Sequence, residues 1–384
     1  MLAAFTLSIG RVAQENCSVG RFCGLEIVLN QRDVKRLLPV AVAREAGADP
    51  LPGWDTQGAA TGYGVFVCYY GGRLSFVAAS VLSLVGLVGL TVGADWLVRG
   101  ASRLAAQFGI SRLAIGLTVV AYGTSAPEIV ASLVAAAAGY PEMTVGNVLG
   151  SNVANIGLIL GATAIFTPLA IAPTVLRHAL PFMVGVTLFL GFLALRLEIG
   201  RGVGLVFIGL IIVFNILSLR WARADADGSS KTKPPDDSLA RSSVLTMVGL
   251  GLLLGGAQLL VAGAVSIARA IGLSDFIIGV TLVAVGTSLP ELATSVVAGM
   301  RRQADLVVGT IVGSNVFNIL GALGLSALIR PITIDASLLH FEFPALIGFT
   351  LVTALFLYTG RRLVRWEGVF LLIGYVTFIV LLFR

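Results

Sequence analysis

Two short stretches of the sequence place a proline and a carboxylate inside otherwise apolar runs. The first is GTSAPE at residues 123–128, and the second is GTSLPE at residues 286–291. Proline has no N–H, so within a helix it frees a carbonyl one turn earlier and kinks the helix. A carboxylate inside a membrane span is costly and marks a functional site by default. The candidate ligands here are two carboxylates and the hydroxyls beside them: Glu128, Thr124, Ser125, Glu291, Thr287 and Ser288.

A second pair of stretches follows the first pair, VGNVLGSNVANIGLILG at residues 145–161 and VGTIVGSNVFNILGALG at residues 308–324. Each has two glycines four residues apart, which give a helix face that another helix can approach closely. Each also has a serine and an asparagine four residues apart, and therefore on one helix face. These polar pairs are Ser151 with Asn155 and Ser314 with Asn318. We expect four helices to converge with their polar faces together.

The side chains gathered in this way offer hard oxygen ligands. Carboxylates, hydroxyls, Asn amides and freed carbonyls suit Ca²⁺, and two carboxylates balance one divalent ion. Monovalent ions or protons could replace Ca²⁺ on the same oxygens, and mutually exclusive occupancy would couple an exchange. Two other interpretations stay open. Ser, Thr and Asn side chains often only join membrane helices, and a buried glutamate pair could relay protons.

Composition indicates the environment in which these residues lie. The chain has 384 residues, of which 57% are hydrophobic and 12% are charged. A soluble domain carries about 25% charged residues, so this chain has too few polar side chains to cover a surface in water. A span needs about 20 mostly apolar residues, and roughly ten such segments follow residue 75. The sequence therefore predicts an integral membrane protein, without a cysteine framework or metal-binding Cys/His cluster.

The ten segments fall into two similar halves. A shift of 163 residues aligns residues 93–168 with residues 256–331, and about 34 of the 76 positions are identical without a gap. Each half has five spans, an odd number, so the second half enters the membrane from the opposite side. This inverted repeat is the plan of many secondary transporters, whose sites lie at mid-membrane on broken helices.

The predicted fold is therefore an all-α membrane protein with ten transmembrane helices in two inverted five-helix repeats. We expect a poorly ordered extension at residues 1–74, a first repeat at 75–219, a polar loop at 220–243 and a second repeat at 244–384. Arginine and lysine concentrate in alternate loops, and the positive-inside rule makes the central loop cytoplasmic. We expect the protein to lie in the plasma (inner) membrane, with its histidines, His178 and His340, at the interface.

The four motifs together resemble the two α-repeats of the sodium/calcium exchanger family, within the calcium/cation antiporter superfamily. The resemblance covers about residues 78–383 and fits a ten-helix prokaryotic-type member. It implies ions bound between the second, third, seventh and eighth helices. It also implies ligand roles, with Glu128 and Glu291 binding Ca²⁺ and the hydroxyls helping to form flanking Na⁺ sites. Further ligands implied by it are Asn155, Asn318 and the carbonyls of Ala121 and Ala284.

The expected function is exchange of Ca²⁺ for Na⁺ by alternating access, with glycine-rich first and sixth spans moving against the ion-binding helices. Some members of the family carry Asp where this chain has Asn318, which makes K⁺ co-transport unexpected here and leaves the counter-ion open. The alternatives are a Ca²⁺/H⁺ exchanger, an exchanger of another divalent cation such as Mg²⁺ or Mn²⁺, and a passive channel. We expect no enzyme activity, no cofactor and no nucleic-acid partner, because no zinc-binding His-Glu motif or Ser/His pair lies in the spans.

Overall fold

The structure is a computed structural model that describes residues 75–228, 238–271 and 284–382. These residues lie in one compact unit, Gln57–Arg384. The predicted extension at 1–74 lies outside the described residues, as do the middle of the predicted loop and most of the first half of the seventh predicted span.

Helices make up almost all of the described chain, as the apolar runs predict. In chain order they are α1 (Phe76–Gln107), α2 (Arg112–Thr124), α3 (Ala126–Ala138), α4 (Pro141–Phe166), α5 (Val175–Ala194), α6 (Arg201–Gly228), α7 (Leu239–Ala270), α8 (Ala284–Thr287), α9 (Leu289–Met300), α10 (Ala304–Ile329), α11 (Glu342–Gly360) and α12 (Arg365–Leu382). A short 3₁₀ helix, Ala336–Leu339, precedes α11.

Eight of these helices are long and apolar enough to cross a membrane, and the bent pair α2 and α3 can form a ninth span. The shorter apolar helix α9 belongs to the seventh predicted span. The all-α membrane class is confirmed, and the number ten and the inverted repeat stay predictions. Both α6 and α7 extend into the predicted loop at 220–243, since α6 continues to Gly228 and α7 begins at Leu239.

The two GTS-x-PE motifs break their helices. Between α2 and α3 the chain bends by 47°, and the break is centred on Ser125 (φ −80°, ψ 1°). Ser288 breaks the second copy between α8 and α9 with nearly the same backbone (φ −91°, ψ 4°). In both copies the proline stands at the start of the following helix. Proline is tolerated there because the first N–H groups of a helix have no partner within it.

Two small strand pairs join the halves of the chain. Strand β1 (Leu169–Ala170) pairs antiparallel with β4 (Arg362–Leu363), and β2 (Glu198–Ile199) pairs with β3 (Ile332–Thr333). Each pair connects a loop of the first half with a loop of the second half. In the ten-span topology β1 and β4 follow odd-numbered spans, whereas β2 and β3 follow even-numbered ones. The pairings therefore agree with that topology, because each joins loops that it assigns to the same side of the membrane.

Helices α1 and α7 pack with their backbones in contact. Glycines recur every seven residues along the shared face of each helix. A Cβ on Gly93 would lie 2.8 Å from the carbonyl oxygen of Gly249, and one on Gly256 would lie 2.8 Å from that of Gly86. These glycines therefore act as small residues that let two membrane helices approach closely.

We expect Gly256→Ala to destabilise the protein by about 1–3 kcal/mol, because the added methyl group overpacks this contact. The matched control is Gly251→Ala on the same helix, where a Cβ meets no atom within 4 Å among the described residues. The measurement is the melting temperature of the detergent-solubilised protein, and equal melting of both variants would contradict the close packing.

Candidate ion-binding site

The sequence-predicted ligands come together where the breaks of the second and seventh spans meet the middles of α4 and α10. The side chains of Ser125, Glu128, Glu291 and Ser314 are at most 1% exposed. Thr124, Ser151, Asn155, Ser288 and Asn318 are also buried, and Thr287 is half-buried. Ala121 lies at the start of the last turn of α2, and Ala284 is the first residue of α8.

Both carboxylates occupy the first turn of a helix. Glu128 lies in the first turn of α3, and Glu291 lies in the first turn of α9. The amino-terminal end of a helix carries partial positive charge and unpaired N–H groups, which stabilise a negative side chain. The motifs predict only a kink. Because the helix breaks at the serine, a new helix begins just before each glutamate, and its amino-terminal end stabilises the charge.

The two motifs bind one another across the halves of the chain. Ser125 Oγ donates a hydrogen bond to Glu291 Oε1 at 3.0 Å. Ser288 Oγ donates to Glu128 Oε1 at 3.3 Å. Each serine therefore fixes the carboxylate of the other motif, and the two motifs form a single buried site.

The hydroxyl of Thr124 is oriented by its own helix. It donates to the carbonyl oxygen of Val120 at 3.1 Å, which leaves the lone pairs of Thr124 Oγ1 available as acceptors. The carbonyl of Ala121 accepts a hydrogen bond from the Ser125 N–H at 3.0 Å, and it lies 3.4 Å from Thr124 Oγ1, whose proton is directed to the nearer Val120 carbonyl. A carbonyl oxygen has two lone pairs, so this one can still bind a cation.

The asparagines of α4 and α10 lie in wide helical turns. Asn155 begins a π-helical segment, Asn155–Leu160, and Asn318 lies in another, Phe317–Leu323. Such single-turn widenings are frequent at functional sites. Asn318 Nδ2 donates to Ser151 Oγ at 3.1 Å, and Asn155 Nδ2 donates to Asn315 Oδ1 at 3.3 Å. Both amide groups are thus held through their nitrogen atoms.

Five oxygen atoms of the site are buried and have no hydrogen-bond partner within the described part of the chain. They are Glu128 Oε2, Glu291 Oε2, Asn155 Oδ1, Asn318 Oδ1 and Ser314 Oγ. An unpaired buried oxygen costs about 1–3 kcal/mol, and more when it is charged. A hard cation bound by these oxygens would offset that cost. The two carboxylates are the site's acidic groups, and no cluster of three or more His, Cys, Asp or Glu residues occurs among the described residues.

Asn147, Met183 and Asn315 are neighbours of the site that were not singled out from the sequence. Asn147 Nδ2 donates to the backbone oxygen of Glu128 at 3.0 Å and to Ser132 Oγ at 2.9 Å, which joins α4 to α3. Met183 of α5 contributes a sulfur that accepts from Asn315 Nδ2 at 3.6 Å. For Asn315 the sequence offered one signal, the triplet Gly-Ser-Asn, which occurs identically at 150–152 and 313–315.

The two histidines are exposed at helix ends. His178 stacks on Trp221 with ring centroids 5.1 Å apart. His340 Nδ1 lies 3.0 Å from the carbonyl oxygen of Ala336. Their expected position at the membrane interface stays a prediction.

Comparison with known proteins gives one consistent result. Residues 78–220 and 241–384 match the family described as sodium/calcium exchanger protein. CaxA of Alkalimonas amylolytica, which is provisionally named an antiporter, is 42% identical to this chain. The alignment covers 80% of this chain and 99% of CaxA. The sodium/calcium exchanger MaX1 of Methanosarcina acetivorans is 33% identical to this chain, in an alignment that covers 79% of this chain and 98% of MaX1. A solved structure of the sodium–calcium exchanger NCX_Mj superposes with a TM-score of 0.72 at 33% identity, covering 80% of this chain and 100% of that one.

We expect Ca²⁺ to raise the melting temperature of the detergent-solubilised protein, and Glu128→Gln or Glu291→Gln to remove most of that rise. A ligand present at 100 times its Kd stabilises a protein by about 2.7 kcal/mol. The control is Glu198→Gln, which changes an exposed carboxylate in β2. A full Ca²⁺-dependent rise in either site variant would show that the ion binds elsewhere.

Proposed function

The chain belongs to the sodium/calcium exchanger family, and on that premise we propose that it is a secondary active antiporter exchanging Ca²⁺ for Na⁺ by alternating access. The observation that carries the proposal is the group of five buried, unpaired oxygens around two glutamate motifs that are joined by hydrogen bonds. A site of hard oxygens with two carboxylates suits one Ca²⁺ ion.

Coupling follows from the negative charge of the two carboxylates, which either ion load must balance. Ca²⁺ would take Glu128 and Glu291 together with the amide oxygens of Asn155 and Asn318. Na⁺ ions would take the serine and threonine hydroxyls, with the carbonyls of Ala121 and Ala284. Because the same carboxylates balance either load, Ca²⁺ and Na⁺ occupy the site in turn, and each direction of transport carries a different ion.

Alternating access would use the pair α1 and α7 as the moving element. Their common face is formed by glycine backbone, and lipid-facing side chains such as Val85 and Val248 are exposed. The pair also contacts the ion-binding helices at one end. Asp95 of α1 forms an ion pair with Arg301 after α9, and Ser102 Oγ donates to Gln303 Oε1 at 2.8 Å. By the positive-inside rule this end is cytoplasmic.

A Ca²⁺/H⁺ exchanger is the second candidate. It is favoured by the same buried glutamate pair, since two nearby carboxylates in an apolar interior repel each other and can hold a proton. Asparagine at both 155 and 318 leaves two carboxylates in the site, so occupancy by two protons would balance it as well as one Ca²⁺ would.

The test is uptake of radioactive Ca²⁺ into proteoliposomes under an outward Na⁺ gradient, under a pH gradient, or under neither. We expect uptake with the Na⁺ gradient alone. Uptake driven by pH without Na⁺ would favour the proton exchanger, and uptake that needs no counter-ion would indicate a channel.

Glu291→Gln should abolish Na⁺-driven uptake, because one charge and one oxygen ligand of the site are lost. Glu198→Gln should retain it, and both variants should elute from size exclusion as the unaltered protein does. Undiminished uptake by Glu291→Gln would contradict the assignment of the site.

A further inference from the structure

Two asparagines beside the site, Asn152 and Asn315, occupy equivalent positions in the two halves but bond differently. Asn315 Oδ1 accepts from Asn155 Nδ2 at 3.3 Å, and Asn315 Nδ2 donates to Met183 Sδ at 3.6 Å. Asn152 is fully buried, and neither its Oδ1 nor its Nδ2 has a partner within the described residues. Burying an unpaired amide is costly, so such a group calls for an explanation.

The 163-residue repeat relates this difference to a second arrangement of the same bonds. The observed pairs are Asn155 with Asn315 and Asn318 with Ser151. When each residue is replaced by its equivalent in the other half, these pairs become Asn318 with Asn152 and Asn155 with Ser314. Both acceptors of this exchanged arrangement, Asn152 Oδ1 and Ser314 Oγ, are buried and unpaired in the structure.

We propose that Asn152 and Asn315 are positioning residues that hold the site asparagines alternately in the two access states. The inference rests on the proposed antiport, in which an inverted repeat reaches the opposite state by exchanging the conformations of its halves. In the state described here Asn315 holds Asn155 and Ser151 holds Asn318. In the opposite state Asn152 holds Asn318, and Ser314 holds Asn155.

The exchange also changes which serine can bind an ion. Ser151 Oγ now accepts the amide of Asn318, whereas Ser314 Oγ has no partner among the described residues. In the opposite state the two serines trade these roles. The hydroxyl that is free to bind Na⁺ therefore moves from one half of the site to the other as the protein changes state.

The chain itself biases this equilibrium. Met183 gives the amide of Asn315 an acceptor in the present state. The residue equivalent to Met183 in the second half is Leu346, which is buried and has no acceptor atom. In the opposite state the Asn152 amide therefore lacks the partner that Asn315 has now, and the present state is favoured.

The test measures the half-saturating Ca²⁺ concentration of exchange separately at each membrane face, in vesicles of known protein orientation. A shift in the population of a facing state changes the apparent affinity at that face in proportion. Asn315→Leu removes an acceptor of the present state, and Asn152→Leu removes one of the opposite state. We expect the ratio of the two half-saturating concentrations to move in opposite directions, each by about five-fold or more, given the cost of a lost buried acceptor.

Leu346→Met supplies the missing acceptor and should move the ratio in the same direction as Asn315→Leu. Its volume is nearly unchanged, so the variant should fold. In an Asn152→Leu background the same substitution should have no effect, because its partner is absent. A purely structural role would lower activity or melting temperature without opposite shifts of the ratio.

The outcomes separate the two proposals. If the unaltered protein exchanges Ca²⁺ for Na⁺ but the three variants leave the ratio unchanged or move it in one common direction, the asparagine exchange is wrong. If the unaltered protein shows no exchange at either face, the proposed antiport is wrong, and the asparagine exchange that rests on it is wrong with it.

Discussion

The structure depends on keeping two carboxylates, Glu128 and Glu291, inside an apolar interior. A charge in that environment requires compensation from dipoles, hydrogen-bond donors or a counter-charge. The protein supplies the first two itself. Each glutamate lies in the first turn of a helix, and each accepts a hydrogen bond from the serine of the other motif. In the proposed function a transported cation would supply the counter-charge and complete the compensation.

The scaffold follows from this requirement. A continuous helix would place each glutamate in a helix interior, where all N–H groups are already bonded, so the helix must break just before it. The breaks at Ser125 and Ser288 need shielding from lipid, because freed backbone groups are tolerated in a membrane only inside protein. The middles of α4 and α10 cover them, and these segments are almost entirely buried. Neither α1 nor α7 contributes a candidate ligand, but Leu250 and Val261 of α7 lie against Gly123 and Gly286 of the two motifs.

Much of this arrangement could be predicted from the sequence because the chain contains its motifs twice. The repeat of 163 residues identified Glu128 and Glu291 as partners, and spacing placed Ser151 with Asn155 on one face. The break at serine was harder to predict, since proline alone suggests a kink one turn away. The π-helical turns at Asn155 and Asn318 also left no signal in hydrophobic periodicity. Asn152 and Asn315 were not singled out from the sequence, because the difference between them appears only in the tertiary contacts of Asn315 with Asn155 and Met183.

The central claim is that one buried site, shared by both halves, binds Ca²⁺ and loses it when Na⁺ binds. Anomalous diffraction from crystals of the protein soaked in Ca²⁺ or Sr²⁺, with and without Na⁺, tests it most directly. The account predicts one strong peak between the carboxylates of Glu128 and Glu291, and its disappearance at high Na⁺. A peak at any other position, or one between the glutamates that Na⁺ does not displace, would contradict the account.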